Sequence, residues 1–497
     1  MQVFDLFIVL PFVASVLAYL LGRLHVRRNA PGTNPAAWIA LVGLLGDFGL
    51  WIQLYVQPAS GPVGISLGTV TLHMDGLAAL FTAAVLVLAT CATLLSFQYI
   101  RSEENEEKFY ALLLQLVGCM LGLATTSDLF NLWIWFEAMA ISSYFLVPFH
   151  RTRQDALEAG VKYLLQSAIG SAFVLFGIAL VFSQTGSLSF ATLHTSAQPT
   201  PLLWAGGALL LVGFGVKAAL VPLHTWLPDA HSQAPSGISA MLSGVVIEAG
   251  VVAILRSLTA LGATTTVWGW VLMVFSAIGM LAGNLLALRQ EQIKRMLAFS
   301  SIAHVGYMLA GFGLALALGS SQGAAGGFFH LFNHAIMKGL AFLCAGGLLF
   351  ALRLGKGDES PLLVSDIDGA AQRYPLLSLF FSLALLSLGG LPLFAGFMSK
   401  WQIMVAGFQT QNGFGIALAV FAAFNSILSL AYYTPLVNRM YRHEASPLVQ
   451  SGVALSSSSI LPLGLLSALV LLLGLWPAVF SSISNSAASA LLGLLGV

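Results

Sequence analysis

Apolar stretches of about twenty residues, each long enough to cross a hydrocarbon core about 30 Å thick, recur along the whole chain. Fourteen can be marked, at 4–22, 37–56, 76–98, 109–127, 129–148, 161–184, 202–222, 236–259, 266–288, 296–318, 323–352, 374–409, 413–437 and 459–480. A chain of this pattern folds as an all-α polytopic bundle. With 58% apolar and 8% charged residues, against about 25% charged in soluble domains, no soluble domain is expected. The formal charge of +1 provides no field for nucleic acid. Cys91, Cys119 and Cys344 each stand alone in an apolar run, which suits neither a disulfide framework nor a metal cluster. The chain is therefore expected to hold no cofactor, any redox centre belonging to another chain. The first stretch is followed by Arg23, Arg27 and Arg28 without a small-residue cleavage site, as in a retained helix.

Basic residues accumulate in loops on the cytoplasmic side of a membrane. Loops after odd-numbered stretches carry fifteen: Arg23, Arg27, Arg28, Arg101, Lys108, Arg151, Arg153, Arg289, Lys294, Arg295, Arg353, Lys356, Arg373, Arg439 and Arg442. The other side has only Arg256, and Lys162, Lys217, Lys338 and Lys400 fall within stretches. Both termini are accordingly expected outside an inner (cytoplasmic) membrane, a thylakoid or other energy-converting membrane being the alternative.

Gly and Pro inside a membrane helix mark breaks, tolerated where the freed backbone groups meet protein or water. The seventh stretch reads Gly213-Phe-Gly-Val-Lys217 on to Pro222, and the twelfth reads Gly389-Gly-Leu-Pro392 on to Lys400. Each joins a break to one lysine, five helices apart, as two inverted five-helix repeats require. The expected division is 1–108 (helices 1–3), 109–259 (helices 4–8, first repeat), 266–437 (helices 9–13, second repeat) and 438–497 (helix 14).

An ionisable group at membrane depth costs about 2.5–3.5 kcal/mol on insertion scales and is a functional candidate by default. The row comprises Asp47, Glu137, Lys162, Lys217, Glu248, His330, His334, Lys338 and Lys400. Taken singly, any of these could be a structural ion pair or a side chain reaching to the interface. Glu137 lies mid-helix, and Lys217 is its expected partner, since a Glu–Lys pair that opens and closes acts as a proton switch. His330, His334 and Lys338 stand at i, i+4 and i+8, a polar stripe about 12 Å long suited to a proton wire. Two His at that spacing also suit a metal, but the accompanying carboxylate motif is missing and no metal is assigned. Asp47 reads as a packing carboxylate. His224, Asp229 and His231, in a polar run after the seventh stretch, suit a loop or channel mouth. The glycines form no phosphate-binding fingerprint, there being no strand for one to follow, and suit close helix packing.

Several motifs together resemble a known family: Trp135-Phe-Glu137, Gly215-Val-Lys217, Pro222-Leu-His-Thr-Trp-Leu-Pro-Asp-Ala-His231, the run from Gln292 through His304 to Tyr307, and Phe329-His-Leu-Phe-Asn-His334-Ala-Ile-Met-Lys338. They are similar to the antiporter-like membrane subunits of respiratory complex I, Mrp cation/proton antiporters and membrane-bound hydrogenases. The resemblance implies fourteen helices, two inverted repeats with broken helices 7 and 12, and a hydrophilic axis across the membrane plane. It makes Glu137 and Lys217 the first-half pair, Lys338 and the histidines the central link, and Lys400 the exit-side lysine; Lys162, His224, Asp229, His231 and His304 are candidates for accessory roles beside them. Within the family, the stripe with Lys400 and the absence of a long lateral helix after the last stretch resemble the Mrp D-type subunit and its hydrogenase relatives. One position departs: where relatives usually carry Lys or His in helix 8, this chain has Glu248. A carboxylate there suits either a direct proton link or a Na⁺ site with oxygen ligands, a fixed salt bridge to Lys217 or Lys338 being the structural alternative.

The expected function is a proton-translocating subunit, with Na⁺/H⁺ exchange open, working beside other membrane subunits of a complex I/Mrp-like assembly. The alternatives are an Mrp-type antiporter subunit with no redox arm, a non-transporting scaffold and a stand-alone solute carrier.

Overall fold

The computed structural model describes residues 3–28, 33–56, 64–67, 70–101, 104–442 and 444–493. Helices α1 (Val3–Arg27) and α2 (Pro35–Val56) precede an antiparallel hairpin, β1 (Gly64–Leu67) with β2 (Val70–His73), in which Gly64 faces His73. Next come α3 (Gly76–Tyr99), α4 (Glu106–Thr125), α5 (Leu129–Leu146), α6 (Gln154–Thr185), α7 (Phe190–Ser196), α8 (Pro201–Lys217) and α9 (Trp226–Gln233). Helix α10 (Ser236–Met241) runs through a π-helical turn, Leu242–Val246, into α11 (Ile247–Ala260). The rest are α12 (Thr265–Ala287), α13 (Ile293–Leu318), α14 (Ser321–Leu352), α15 (Ala370–Arg373), α16 (Pro375–Gly389), α17 (Ala395–Gln409), α18 (Gly413–Met440), α19 (Pro447–Gln450), α20 (Ser457–Leu475) and α21 (Ala478–Gly493).

The protein is a multi-pass integral membrane bundle. Among the described residues, eleven helical spans are long and apolar enough to cross a membrane, and the α20–α21 pair, bent by 83°, brings the number to at most twelve. Of the remaining two apolar stretches, 202–222 forms α8 and then breaks ahead of α9, and 374–409 is split into α16 and α17. The hairpin corrects the expectation of a strand-free chain: Ile65, Val70 and Thr71 supply short β-branched runs in the connection between α2 and α3.

Polar residues set the helix starts. Asp75 accepts from the Ala78 amide, Asp128 from Phe130 and Asn131, and Thr200 from Leu203 with Pro201 at the first helical position. Glycines let helices close up. A Cβ at Gly213 would come within 2.5 Å of the Gly170 carbonyl, and one at Gly177 within 2.9 Å of the Gly206 carbonyl. Helices α6 and α8 therefore meet backbone to backbone.

Both splits use a left-handed residue that is not glycine, Ala219 (φ 54°) and Leu393 (φ 78°), a conformation costing about 1–3 kcal/mol. The surroundings hold each in place by satisfying the freed groups. At the first split, Trp226 Nε1 donates to the Val216 carbonyl (2.8 Å) and Gln166 Nε2 to the Leu223 carbonyl (2.7 Å). At the second, Ser426 donates to the Gly389 carbonyl (3.1 Å), while Asn333 Nδ2 anchors the first turn of α17 through the Ala395 carbonyl (2.9 Å). Helices α1, α2 and α18 turn much of their surface outward, whereas α11, α13 and α14 are buried almost throughout. Of the ionisable row, Glu248, His330, His334 and Lys338 lie on these buried helices.

Candidate ion-translocation site

Lys217 ends α8 at the first split and is buried. A helix C-terminus, with its unpaired carbonyls, is a favourable place for a cation. The ammonium donates to the Tyr163 hydroxyl of α6, which is also 2.8 Å from Ser143 Oγ of α5. It lies 4.5 Å from the Tyr163 ring centroid, 5.3 Å from that of Tyr144 and 5.9 Å from that of Phe136, an aromatic cage with cation–π character. Glu137, next to Phe136, is half-buried and leaves Oε1 buried without a partner. The expected Glu137–Lys217 ion pair is not formed; Tyr163 stands in its place.

Glu248 lies two residues beyond the π-helical turn. A Cβ at Gly250 would come within 3.0 Å of the Lys217 carbonyl carbon, so α11 crosses the end of α8 here. The Glu248 side chain, however, turns to α14: Oε1 and His334 Nδ1 share a hydrogen bond of 2.8 Å, both side chains fully buried. Neither lysine named as a salt-bridge partner makes that contact. From His334 the line passes to His304 of α13 by ring contact and not by a hydrogen bond, the centroids lying 5.2 Å apart with His334 Nε2 unbonded. His304 Nδ1 meets His330 Nε2 at 3.1 Å, and His330 Nδ1 meets Ser399 Oγ of α17 at 2.9 Å. Donor and acceptor in each of these contacts follow the tautomer of the ring.

The stripe on α14 is thus not itself a wire. Successive members stand about 6 Å apart along the axis, and none bonds the next: His334 bonds α11, His330 bonds α13 and α17, and Lys338 bonds α13. Lys338 donates to the Leu297 carbonyl (2.7 Å) and to Ser300 Oγ of α13, and Ser300 meets the Tyr433 hydroxyl. His304, a candidate for an accessory role in the sequence, becomes the link between His334 and His330. Lys400, one residue past Ser399, reaches back across the second split to the Leu388 carbonyl (2.8 Å) and Ser426 Oγ (3.1 Å). Its ammonium lies 4.6 Å from the Tyr307 ring centroid, and that ring is 5.6 Å from His330. Breaking the helix frees the carbonyl that Lys400 caps.

The accessory residues divide. Lys162 is not a buried charge: about half exposed, it bonds Glu158 (2.7 Å) and Asp229 (3.3 Å). Asp229 also pairs with Arg295, which places this cluster at the Arg-rich face. His224 lies in the first split, half-buried, 6.3 Å from the Phe299 ring. His231, on α9, is fully buried. Asp47 is buried in α2 with neither oxygen bonded, away from the line. Tyr163, Ser399 and Tyr433 have no signal in the sequence beyond lying in apolar helices, whereas Ser300 and Tyr307 fall inside the motif from Gln292 to Tyr307 with no role assigned to them. Lys294, counted there as a loop charge, is buried and donates to the Ala234 carbonyl.

Residues 126–426, more than half of the chain and holding every member of the row from Glu137 to Lys400, match the family described as NADH:quinone oxidoreductase/Mrp antiporter, transmembrane. The chain belongs to this family. It is similar to NADH-quinone oxidoreductase subunit N of Trichlorobacter lovleyi, 32% identical over 88% of each chain. It is likewise similar to F(420)H(2) dehydrogenase subunit N of Methanosarcina mazei, 30% identical over 97% of each chain. Among solved structures, a chain of the membrane-bound sulfane sulfur reductase, an archaeal respiratory membrane complex, superposes with a TM-score of 0.87 at 29% identity, covering 99% of this chain and 98% of the other. A chain of respiratory complex I from Thermus thermophilus gives 0.77 at 27%, covering 97% and 100%. A chain of the Mrp complex from Dietzia sp. gives 0.85 at 23%, covering all of both, which shows a shared fold. The resemblance drawn from the motifs is borne out.

Proposed function

We propose that this chain is the proton-translocating, antiporter-like subunit of a multi-subunit, energy-converting membrane complex of the complex I type. The observation that carries the reading is the line Glu248–His334–His304–His330–Ser399, which crosses from α11 through α14 and α13 to α17 entirely inside the protein. Every member but the serine changes charge by gaining or losing a proton, and Lys217 and Lys400 lie at its two ends. A scaffold has no use for such groups, whose burial costs several kcal/mol. The relatives at 32% and 30% identity are subunits N of an NADH-quinone oxidoreductase and of an F(420)H(2) dehydrogenase. This favours a redox-driven assembly over an Mrp antiporter, for which the likeness is one of fold. In this reading the chain holds no redox cofactor, its partners being the other subunits, the bilayer and the protons. The bond of Glu248 to a histidine favours the proton link over a Na⁺ site.

The two splits, each with a left-handed non-glycine residue and a buried lysine, support two repeats over helices 4–8 and 9–13 within the division 1–108, 109–259, 266–437 and 438–497. The one-sided basic loops support an inner membrane with both termini outside. Cysteine at position 28 should then react only from the cytoplasmic face; labelling from outside intact cells would reverse the orientation.

The test of function is His304→Gln in the assembled complex, reconstituted in sealed vesicles. Glutamine keeps hydrogen bonds but cannot exchange protons, so translocation should fall at least tenfold with assembly intact, as loss of one proton-transfer group costs about 100-fold or more. Wild-type translocation would refute the reading.

A further inference from the structure

Several features of the Arg-rich face converge at a point the line leaves unexplained. His231 is fully buried, and neither ring nitrogen has a partner, although an unsatisfied buried polar group costs about 1–3 kcal/mol. Its ring stacks on Phe342 with centroids 4.7 Å apart, and Phe342 stands one helical turn beyond Lys338 on α14. Lys294, at the start of α13, is held by the Ala234 carbonyl just past the end of α9. Gln233 leaves Oε1 buried without a partner. A cleft of about 30 Å³ opens here, lined among others by His150, Arg153, Gln233, Lys294 and Glu359, with room for a water or two. Arg153 and Glu359 pair across it at 3.8 Å.

We propose that this cleft is the mouth through which protons reach the buried line from the Arg-rich face, with Lys294 and Gln233 holding water in it and His231 carrying the proton on to Lys338. The proposal rests on the reading of the chain as a proton translocator. Imidazole takes a proton at one ring nitrogen and gives one up from the other, so only N–H bonds form and break and the ring returns to neutrality after each passage. A ring clamped by two strong hydrogen bonds would be locked in one tautomer, whereas His231 is held by stacking alone. Lys338 in its neutral form is the acceptor, and its contacts to Leu297 and Ser300 lie within the first turns of α13, on the same side of the bundle as the cleft.

Two measurements on the assembled complex in sealed vesicles test this. With Gln233→Cys, a membrane-impermeant thiol reagent applied at the Arg-rich face is expected to react and to stop translocation, since Cys91, Cys119 and Cys344 are buried. His231→Phe, which keeps the stacking on Phe342, is expected to lower translocation at least tenfold, and the defect should shrink as pH falls on the Arg-rich side alone. The defect of Glu248→Gln, which cuts the line itself, should not shrink. A Gln233→Cys variant that does not react with the reagent, or a labelled complex that still translocates at the wild-type rate, overturns the proposal. Wild-type translocation by His231→Phe beside an impaired Glu248→Gln also overturns it and leaves the line with another mouth, whereas wild-type translocation by both removes the reading beneath it. If the phenylalanine variant does not assemble, the labelling decides.

Discussion

Glu248 and His334 meet across 2.8 Å with neither side chain exposed, and each keeps a second polar atom, Oε2 and Nε2, buried and unbonded. One proton is shared and two positions stay open, which is what a link in a relay needs and a fixed salt bridge does not. The carboxylate is brought there by the π-helical turn at Leu242–Val246, which shifts the register of everything after it by one residue.

Replacing Glu248 separates the two roles open to a carboxylate. Glu248→Gln should lower proton translocation at least tenfold, in line with about 100-fold for a lost proton-transfer group. Glu248→Lys restores a group that can exchange protons and should keep a measurable fraction. The ratio of the two rates, taken with and without Na⁺, is the check. Equal loss in both variants, confined to Na⁺-containing medium, would mark a Na⁺ site instead.

The amino-acid pattern made some of this legible and hid the rest for definable reasons. The splits at Pro222 and Pro392 could be read because Gly and Pro act on the local backbone, as could the burial of Lys217, Lys338 and Lys400 within apolar runs. The partner of Glu248 could not, since His334 lies 86 positions away and helix rotation, not spacing, brings them together. The same limit produced the Glu137–Lys217 pairing: opposite charges were matched by type, while packing put a tyrosine hydroxyl nearer the ammonium. Lys294 looked like a loop charge because it precedes the apolar stretch by two positions, yet the loop after α14 pairs with Glu291 and Ile293 and covers it.

Lys217 and Tyr163 offer a graded test. Lys217→Arg should abolish translocation, because arginine keeps its proton at any accessible pH. Tyr163→Phe removes the hydroxyl but keeps the ring, and with it cation–π attraction of about 0.5–2 kcal/mol. It should therefore slow translocation without abolishing it. Initial rates in sealed vesicles give the order wild type, Tyr163→Phe, Lys217→Arg; an active arginine variant would remove Lys217 from the carriers.

At the opposite face from the basic loops, Arg256 donates to both oxygens of Asp75, at 2.8 Å to Oδ1, and to the Ala124 carbonyl at 2.8 Å. Asp75→Ala should destabilise the protein by about 3–5 kcal/mol, the cost of stranding a buried charge, with no direct effect on the line. Burial raises the Asp75 carboxyl, but Arg256 and the Ala78 amide outweigh it and hold the group below its ordinary value of 3.8. The contribution is therefore complete above that pH and is lost as pH falls through the lowered value. Thermal unfolding of the detergent-solubilised complex from neutral pH downward checks both the size and the sign.

In the proposed line Glu248 takes up and releases a proton in every turnover. Infrared difference spectra of the working complex, compared with those of Glu248→Gln, test it most directly. A carboxylic C=O band is expected that rises and falls as the wild type turns over and is missing from the glutamine variant. The same band in both, or no carboxyl change during wild-type translocation, would contradict it.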